Sequence, residues 1–481
     1  MRSRRDAKGR SSLAFELVPR RIGLGLGVAA AALIGLASVV SPGLALAGVL
    51  GLGYVVLTFR SLAGGLVVFT VASFFLQIPG VPTGTIKFAG GVLAGAWLLL
   101  LLSRRDAPSL SRDHPVLAYV AAFFCVWTIA STLWAEDPGV ALGASLRLAQ
   151  GIVLVFIVYA ALSNHRALGL FLSAYLFGAL LTALIGLGGA TSSESFGAGA
   201  DTTRVSGGIG DPNEFAAVLV PAVIFAALLL VATSNPLGRF ALAVCIGVYM
   251  IALLLSQSRG GFVALAVAGV AAIVFAGPAR ARTVVVVSAL AGVGIAYFAL
   301  VAPPEALERV THFAAGGGTG RTDLWSIAIA VADDHPFLGV GAGNFELVEP
   351  RYAVGNINLP LVELIVDTPK VAHNTYLHLL AEYGAVGLGA FLGLAGGVLL
   401  LCHRGIRAAA ASGQLELELL SRGVLIGVIG MLAAFTFLSA QYQKQLWLLL
   451  GAAAAVPSVV ARTNPPRPTA AGEGGARLTP R

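Results

Sequence analysis

The chain has 481 residues, of which 57% are hydrophobic and only 11% are charged. Soluble domains carry roughly 25% charged residues, so this chain has too few charges to cover a water-facing surface of its size. The net charge of +8 does not indicate a nucleic-acid partner, because the lysines and arginines are spread over short loops and both termini and form no single basic stripe. The composition predicts an all-α integral membrane protein.

Hydrophobic runs close to the roughly 20 residues that cross a hydrocarbon core follow one another along the chain. Several of the early runs lie at the short end of the range, so we predict about 12–14 transmembrane helices. The candidate spans are 22–41, 43–59, 62–78, 86–102, 115–134, 141–162, 167–188, 214–232, 238–256, 261–277, 283–301, 374–401, 421–440 and 445–461.

The charges between these runs give the spans a direction. With the basic N-terminus in the cytoplasm, the cytoplasmic segments collect about 22 of the 31 lysines and arginines, as the positive-inside rule predicts. A frame error anywhere would exchange the sides of all later loops and remove this bias. We therefore expect a multi-pass protein with both termini in the cytoplasm.

Two polar segments interrupt the rhythm of short loops, and both fall on the outer side. Residues 190–213 are rich in glycine, serine and threonine, whereas residues 302–372 are amphiphilic. In the longer segment, residues 322–332 have a helical pattern with an N-cap at Thr322 or Asp323, and turn residues follow. We predict a folded cap on the outer membrane surface.

Arg259 lies between two spans, in the sequence Ser256-Gln257-Ser258-Arg259-Gly260-Gly261. The positive-inside bias disfavours an arginine on the outer side, and the two glycines beside it are expected to leave space for a ligand. The alternative is an interfacial arginine that snorkels to the membrane surface. The pattern favours a functional arginine.

Arg321 follows the glycine-rich segment 316–320 and stands at a predicted helix start. Free backbone amides and the helix dipole at such a position suit an anion, and an arginine adds a bidentate donor for phosphate. Trp325, one turn later, is expected at the membrane interface, with stacking on a sugar as the alternative.

His373 stands where the long outer segment re-enters the membrane. A histidine accepts a proton near neutral pH, with an unperturbed pKa of about 6.5. The alternative is an ordinary helix start, with Asn374 or Thr375 as its cap. Glu382 is about two and a half turns deeper, where we expect it to pair with an arginine, while His378 is expected to be structural.

Arg204 and Asn213 lie on the outer segment before the span at 214–232. Asp211-Pro212-Asn213 has the composition of a turn that leads into a helix. We interpret this stretch as a wall of the same site, with an ordinary helix-capping loop as the alternative.

Three arginines and a histidine on one face suit a phosphate or diphosphate that is attached to a membrane lipid. The arginines would hold the diphosphate and stabilise it as it leaves, and the histidine would take a proton from an attacking hydroxyl. We expect no metal and no other cofactor. A solute transporter and a non-catalytic scaffold of polysaccharide assembly are the competing hypotheses.

At these positions, over roughly residues 200–440, the chain resembles the O-antigen ligase / O-antigen polymerase superfamily. The marks of the resemblance are Asp211-Pro212-Asn213, Ser258-Arg259-Gly260-Gly261, Gly320-Arg321 followed by Trp325, Pro336-Phe337-Leu338-Gly339-Val340-Gly341, His373-Asn374-Thr375-Tyr376-Leu377, Glu382 and Gly384-Ala385-Val386-Gly387.

The resemblance implies a metal-independent glycosyltransferase that is similar to the GT-C architecture. Such an enzyme transfers a glycan from undecaprenyl diphosphate to a glycan or lipid-anchored acceptor, on the outer (periplasmic) face of the cytoplasmic membrane. The family's two arginines and one histidine carry over to Arg259, Arg321 and His373 as catalytic residues. We add Arg204, Asn213, Asn374 and Glu382 as substrate-binding residues. Ligases and polymerases share this region, so the acceptor stays open.

The predicted division of the chain follows from these patterns. It comprises a basic cytoplasmic N-terminus (1–21), N-terminal transmembrane helices (22–200), the ligase/polymerase-like core with the outer segment 302–372 (201–440), a last transmembrane helix (441–462) and a disordered cytoplasmic tail (463–481). The first 200 residues carry no mark of the family.

Overall fold

The computed structural model describes residues 41–75, 84–104, 106–189, 204–277, 280–302, 321–354 and 370–463. The regular structure in these ranges is helical. The helices are α1 (Pro42–Arg60), α2 (Leu62–Ala72), α3 (Gly84–Ser103), α4 (Leu110–Asp113), α5 (Pro115–Ala130), α6 (Pro138–Ala161), α7 (His165–Leu187), α8 (Pro212–Ala232), α9 (Pro236–Leu255), α10 (Arg259–Phe275), α11 (Arg280–Leu300), α12 (Arg321–Asp334), α13 (Phe345–Val354), α14 (Thr375–Ala411), α15 (Leu415–Ala434) and α16 (Lys444–Thr463).

The hydrophobic runs form helices of membrane-spanning length. Ten helices in the described ranges are long and apolar enough to cross a membrane, and α1, α2 and α10 are shorter apolar helices. Each predicted span from 43–59 onward overlaps one of these helices, although α2 ends at Ala72 and α14 continues to Ala411. The span at 22–41 lies outside the described residues. The prediction of an all-α integral membrane protein is confirmed.

Small residues let the central helices approach closely. A Cβ atom on Gly151 of α6 would lie 2.5 Å from Nε1 of Trp447, which is fully buried on α16. A Cβ atom on Gly451 of α16 would lie 2.6 Å from Cβ of Val158. Close backbone packing of this kind is a main source of helix association in a bilayer, where the hydrophobic effect does not drive helices together.

Contacts between helix ends fall into two sets, as alternating membrane crossings require. At one end, the Tyr159 hydroxyl at the end of α6 donates to Asp113, 2.7 Å away and just before α5. At the other end, the Gln445 amide at the start of α16 donates to the backbone oxygen of Ser73, 2.8 Å away and just after α2. Arg462, near the end of α16, lies 3.5 Å from the same Asp113 carboxylate, so the two ends of α16 meet different loops.

The described part of the long outer segment is folded. α12 and α13 enclose a small hydrophobic core of their own, which includes Leu324, Val331, Phe345 and Val348. The predicted helix at 322–332 is present as α12 (Arg321–Asp334). Thr322 and Asp323 lie inside this helix, so the expected N-cap at one of them is wrong. α13 was not predicted, and the glycine-rich residues 316–320 lie outside the described residues.

The turn between α12 and α13 packs against a kink in α14. Gly384 has φ 65° inside α14. Its neighbour Ala385 donates a backbone hydrogen bond to the Pro336 oxygen, at 2.8 Å, and the Val340 amide donates to the Ala381 oxygen, at 2.9 Å. A Cβ atom on Gly339, which has φ 67°, would lie 2.3 Å from the backbone carbon of Glu382. The two glycine-containing motifs thus fix the cap to the membrane bundle.

Replacing Gly339 or Gly384 by alanine tests this backbone packing. Both glycines have positive φ and backbone atoms within 2.3 Å of a would-be Cβ, so each substitution should lower stability by more than about 1 kcal/mol. The measurement is the midpoint of heat-induced loss of the monodisperse protein in detergent. Gly389→Ala on the same helix, where an added Cβ meets nothing within 4 Å, is the control. An unchanged midpoint for Gly339→Ala would contradict the packing.

Candidate active site

His373 is the residue that the structure marks most clearly. It is half-buried just before α14 and has φ 48°, in the left-handed region. Burial, and then the positive charge of Arg321, lower the pKa of His373 to about 4, and Asp211 opposes this shift. The imidazole is therefore neutral at pH 7 and can accept a proton, and Arg321 lies within electrostatic range of it.

Backbone strain is concentrated beside the predicted catalytic residues. Across the described ranges, His373 and Gln257 are the two non-glycine residues with positive φ, at 48° and 49°. Gln257 lies two residues before Arg259. Such conformations cost of order 1–3 kcal/mol each and persist where the surrounding structure imposes them, often at functional sites. The strain therefore favours a functional site at these two segments.

Arg259 and Arg321 each occupy the first residue of a helix, and both are partly exposed. The segments that carry them meet at Phe437. The Trp325 ring of α12 lies 6.4 Å from the Phe437 ring, and a Cβ atom on Gly260 would lie 2.7 Å from Cβ of Phe437. The structure therefore brings the starts of α10 and α12 to the same end of the bundle as His373.

The glycines beside Arg259 serve packing and do not open space for a ligand, so that expectation is wrong. Gly260 approaches Phe437, and a Cβ atom on Gly261 would lie 2.6 Å from Cβ of Ala216 on α8. Ser258 caps α10, because its hydroxyl accepts from the Gly261 amide at 3.2 Å. Together these contacts fix the direction in which α10 begins.

Arg204 and Asn213 are buried and hydrogen-bonded to each other. Arg204 Nη2 donates to Asn213 Oδ1 at 3.0 Å, and Arg204 Nε donates to the Ser256 oxygen at 3.0 Å. Asn213 Oδ1 also accepts from the Ser258 hydroxyl at 2.9 Å. Asp211 caps α8 through the amides of residues 213 and 214. The network holds the residue that precedes Arg259, and the helix-capping interpretation of Asp211 is confirmed.

Asn374 and Thr375 hold the start of α14. The Asn374 side chain accepts from the amides of Tyr376 and Leu377, at 3.0 and 3.1 Å. The Thr375 hydroxyl donates to the Leu438 oxygen at 2.7 Å. Asn374 is therefore the cap of α14, and Thr375 joins that helix start to the loop before α16.

Glu382 pairs with His378, at 3.0 Å between Oε1 and Nε2, and both side chains are buried. The expectation of an arginine partner for Glu382 is wrong, and the structural interpretation of His378 fits this pairing. His378 Nδ1 accepts a hydrogen bond of 3.5 Å from the amide of Ala372, which is the residue before His373. The pair therefore supports the backbone that carries His373.

The sequence analysis missed two residues of this region. Glu349 on α13 accepts from the Lys370 amide at 2.7 Å, and burial raises the pKa of Glu349 to about 8. Arg147 lies inside α6. A charge within an apolar run often marks a functional residue, so the sequence did contain a signal for it. In the part of the chain that the structure describes, no group of three or more histidine, cysteine, aspartate or glutamate residues could hold a metal ion.

The low pKa of His373 predicts a pH-dependent loss of stability. Between about pH 6.5 and the folded value of about 4, the unfolded chain binds a proton that the folded chain does not, so acidification favours unfolding. We expect acidification from pH 7 to pH 5 to lower the Tm of the wild type more than that of His373→Asn, a side chain that tolerates positive φ. His335→Asn, at an exposed cap position, is the control, and equal shifts in all three proteins would contradict the prediction.

The shared acceptor on Asn213 predicts a difference between two substitutions. Asn213→Ala removes the oxygen that both Arg204 and Ser258 use, so it should lower stability by about 1–3 kcal/mol. Asn213→Asp keeps an acceptor oxygen and should remain near the wild type. Thermal unfolding in detergent measures both, and an equal loss in the two variants would contradict the role of the shared oxygen.

A protein-family model described as O-antigen ligase matches residues 240–392. The matched segment runs from α9 into α14 and covers about a third of the 481 residues. It contains Arg259, Arg321 and His373. None of the curated proteins compared with the chain matches it. The family match confirms the resemblance that the motifs indicated.

Proposed function

We propose that this chain, which belongs to the O-antigen ligase/polymerase superfamily, transfers a glycan from undecaprenyl diphosphate to an acceptor hydroxyl at the outer face of the cytoplasmic membrane. The observation that carries this proposal is the placement of a neutral, strained His373 within electrostatic range of Arg321. Arg259 begins a neighbouring helix at the same end of the bundle.

The two arginines suit the diphosphate of the donor. Each guanidinium offers a planar fork of donors that matches phosphate oxygens. Arg259 is also the first residue of α10, and Arg321 is the first described residue of α12. The helix dipole and free amides in the first turn of a helix favour negative charge. Negative charge grows on the diphosphate as its bond to the sugar breaks, so these groups stabilise the transition state more than the bound donor.

His373 is the proposed base. Its nitrogen takes the proton of the acceptor hydroxyl, the acceptor oxygen bonds to the anomeric carbon, and the bond from that carbon to the diphosphate oxygen breaks. Undecaprenyl diphosphate leaves, and the proton passes from His373 to solvent. A bound diphosphate offsets the charge of Arg321, which lowers the pKa of His373. Donor binding therefore makes the imidazole a stronger base.

The distribution of charge supports an outer location of this site. Helix ends at the opposite side of the bundle carry most of the basic residues of the bundle, as the cytoplasmic side of a membrane protein does. They include Arg60, Arg104, Arg112, Arg166, Arg239, Arg280, Arg404, Arg407 and Arg462. The end of α16 then lies on the cytoplasmic side, and the N-terminus lies there too in this proposal, through the predicted span at 22–41 outside the described residues.

Four buried residues support the reacting groups in this proposal and do not react themselves. They are Arg204, Asn213, Asn374 and Glu382. Their hydrogen bonds position the backbone on either side of Arg259 and His373. Arg259, Arg321 and His373 are by contrast partly exposed, as direct contact with a substrate requires. We therefore assign Arg204, Asn213 and Asn374 to positioning. Glu382 positions His378 through Oε1, and its Oε2 has no hydrogen-bond partner in the structure.

Single substitutions of Arg259→Gln, Arg321→Gln and His373→Asn test the function. Removing a group that stabilises the transition state or transfers its proton should reduce glycan transfer by about 100-fold or more. Lipid-linked glycan should accumulate in membranes, as measured by extraction and chromatography. Arg351→Gln, which breaks only an exposed ion pair with Glu136, is the control. Normal glycan assembly in all three variants at wild-type protein levels would defeat the proposal.

Ligase and polymerase activities differ in the acceptor, and both fit the superfamily match. A ligase moves glycan onto a different lipid anchor, whereas a polymerase lengthens the chain on undecaprenyl diphosphate. Electrophoresis of the lipid-linked and final glycans separates the two outcomes. A transporter would place its charged groups near the bilayer midplane, while the candidate residues here lie at helix starts.

A further inference from the structure

We propose that a second polar subsite, which binds the sugar of the acceptor, lies beneath α13. We call it the Arg147 cluster and define it by Arg147, Glu346, Glu382, Tyr383 and Tyr442. The proposal rests on the proposed function and adds the location and chemistry of the acceptor. Four segments supply the cluster, namely α6, α13, α14 and the loop before α16.

Arg147 is an arginine inside a membrane-spanning helix. It lies in the third turn of α6, and its side chain is exposed on the surface of the bundle. Its guanidinium carbon lies 4.6 Å from the centre of the Tyr442 ring, in a cation–π contact. A charge at this depth is unfavourable in a bilayer and is retained chiefly where it lines a polar cavity or a substrate path.

A buried carboxylate oxygen without a hydrogen-bond partner belongs to this cluster. Glu382 Oε2 is one of the buried atoms of the described residues that lack such a partner, whereas the hydroxyls of Tyr383 and Tyr442 lie within reach of each other. Tyr383 is fully buried, and Glu382 is 1% exposed. Buried polar atoms in native proteins are nearly always satisfied, so each such atom calls for a water or ligand partner. A sugar, with its many hydroxyls, both donates to such oxygens and accepts from such phenols.

The charge of the cluster separates it from the proposed diphosphate site. Glu346 lies within electrostatic range of Glu382 and of three basic side chains, His378, Arg147 and Lys370, so two carboxyl groups lie among the charges of this cluster. The donor side has two arginines at helix starts and a neutral histidine. Carboxylates repel a diphosphate and accept hydrogen bonds from hydroxyl groups. The acceptor sugar, which is neutral and rich in hydroxyl groups, therefore fits the Arg147 cluster better than the diphosphate does.

The cluster is continuous with His373. Lys370 lies within electrostatic range of both Glu346 and His373. The Thr375 hydroxyl accepts from the Ala440 amide at 3.0 Å, so the loop that carries Tyr442 is fixed to the segment that carries His373. An acceptor sugar held in the cluster would thus lie beside His373, the proposed base. Arg321 lies on another side of His373, on α12.

Arg147→Gln and Tyr383→Phe test the subsite in full-length protein. The first removes the cation, and the second removes the hydroxyl that lies next to the Tyr442 hydroxyl. Loss of one such hydrogen bond should lower glycan transfer in cells about tenfold or more. Both variants should bind undecaprenyl diphosphate, measured in nanodiscs, within about twofold of the wild type, whereas Arg321→Gln should weaken that binding about tenfold or more. Arg351→Gln is again the control for both measurements.

Two results would overturn the subsite. Wild-type transfer in both variants would show that the cluster only packs or holds water, and weakened undecaprenyl diphosphate binding would place Arg147 in the donor site. If Arg147→Gln does not fold, the test uses Tyr383→Phe and Arg147→Lys, which keeps the charge but removes the planar guanidinium. A photo-crosslinking p-benzoylphenylalanine at Tyr442 should capture sugar-containing adducts, detected by periodate staining, and adducts without sugar would contradict the proposal. Failure of the proposed function is distinct, since Arg259, Arg321 and His373 variants would then transfer glycan normally.

Discussion

The bilayer determines where this protein can keep its polar groups. No water reaches the hydrocarbon core, so every backbone amide and carbonyl that crosses it must be satisfied within a helix. Charged side chains are then confined to helix ends, cavities and the cap. The starts of α10, α12 and α14 meet at one end of the bundle, and each start carries or adjoins one of Arg259, Arg321 and His373. The membrane thus concentrates the proposed chemistry at a single rim.

Helix starts supply more than a location. Ser258 and Asn374 cap α10 and α14 through backbone amides, which sets the direction of the residues beside them. The strained backbones of Gln257 and His373 lie immediately before these helices. The fixed, helical side of each segment can hold the unfavourable φ angle in place, because the cap and the first turn leave the preceding residue little freedom. The helices therefore hold the adjoining loop residues, Gln257 and His373, in one defined backbone conformation.

The sequence predicted the spans because bilayer thickness imposes their length and composition, which hydropathy measures directly. It also predicted that α12 is a helix, although not where it begins, and the structural role of His378. It did not predict that Glu382 pairs with His378, or that Gly260 and Gly261 serve packing against Phe437 and Ala216. Those partners lie far away in sequence, and their choice depends on how helices approach one another. Arg147 was missed although its charge lies inside an apolar run.

The electrostatic coupling between Arg321 and His373 gives the proposed reaction an order. Before the donor binds, burial and the arginine both hold the imidazole neutral and weakly basic. A diphosphate at Arg321 offsets one of these two effects and leaves the other, so the basicity of His373 rises only when the group to be displaced is in place. An acceptor hydroxyl that arrives at the empty site meets a poor base. One pair of side chains thus links donor binding to acceptor activation in this proposal.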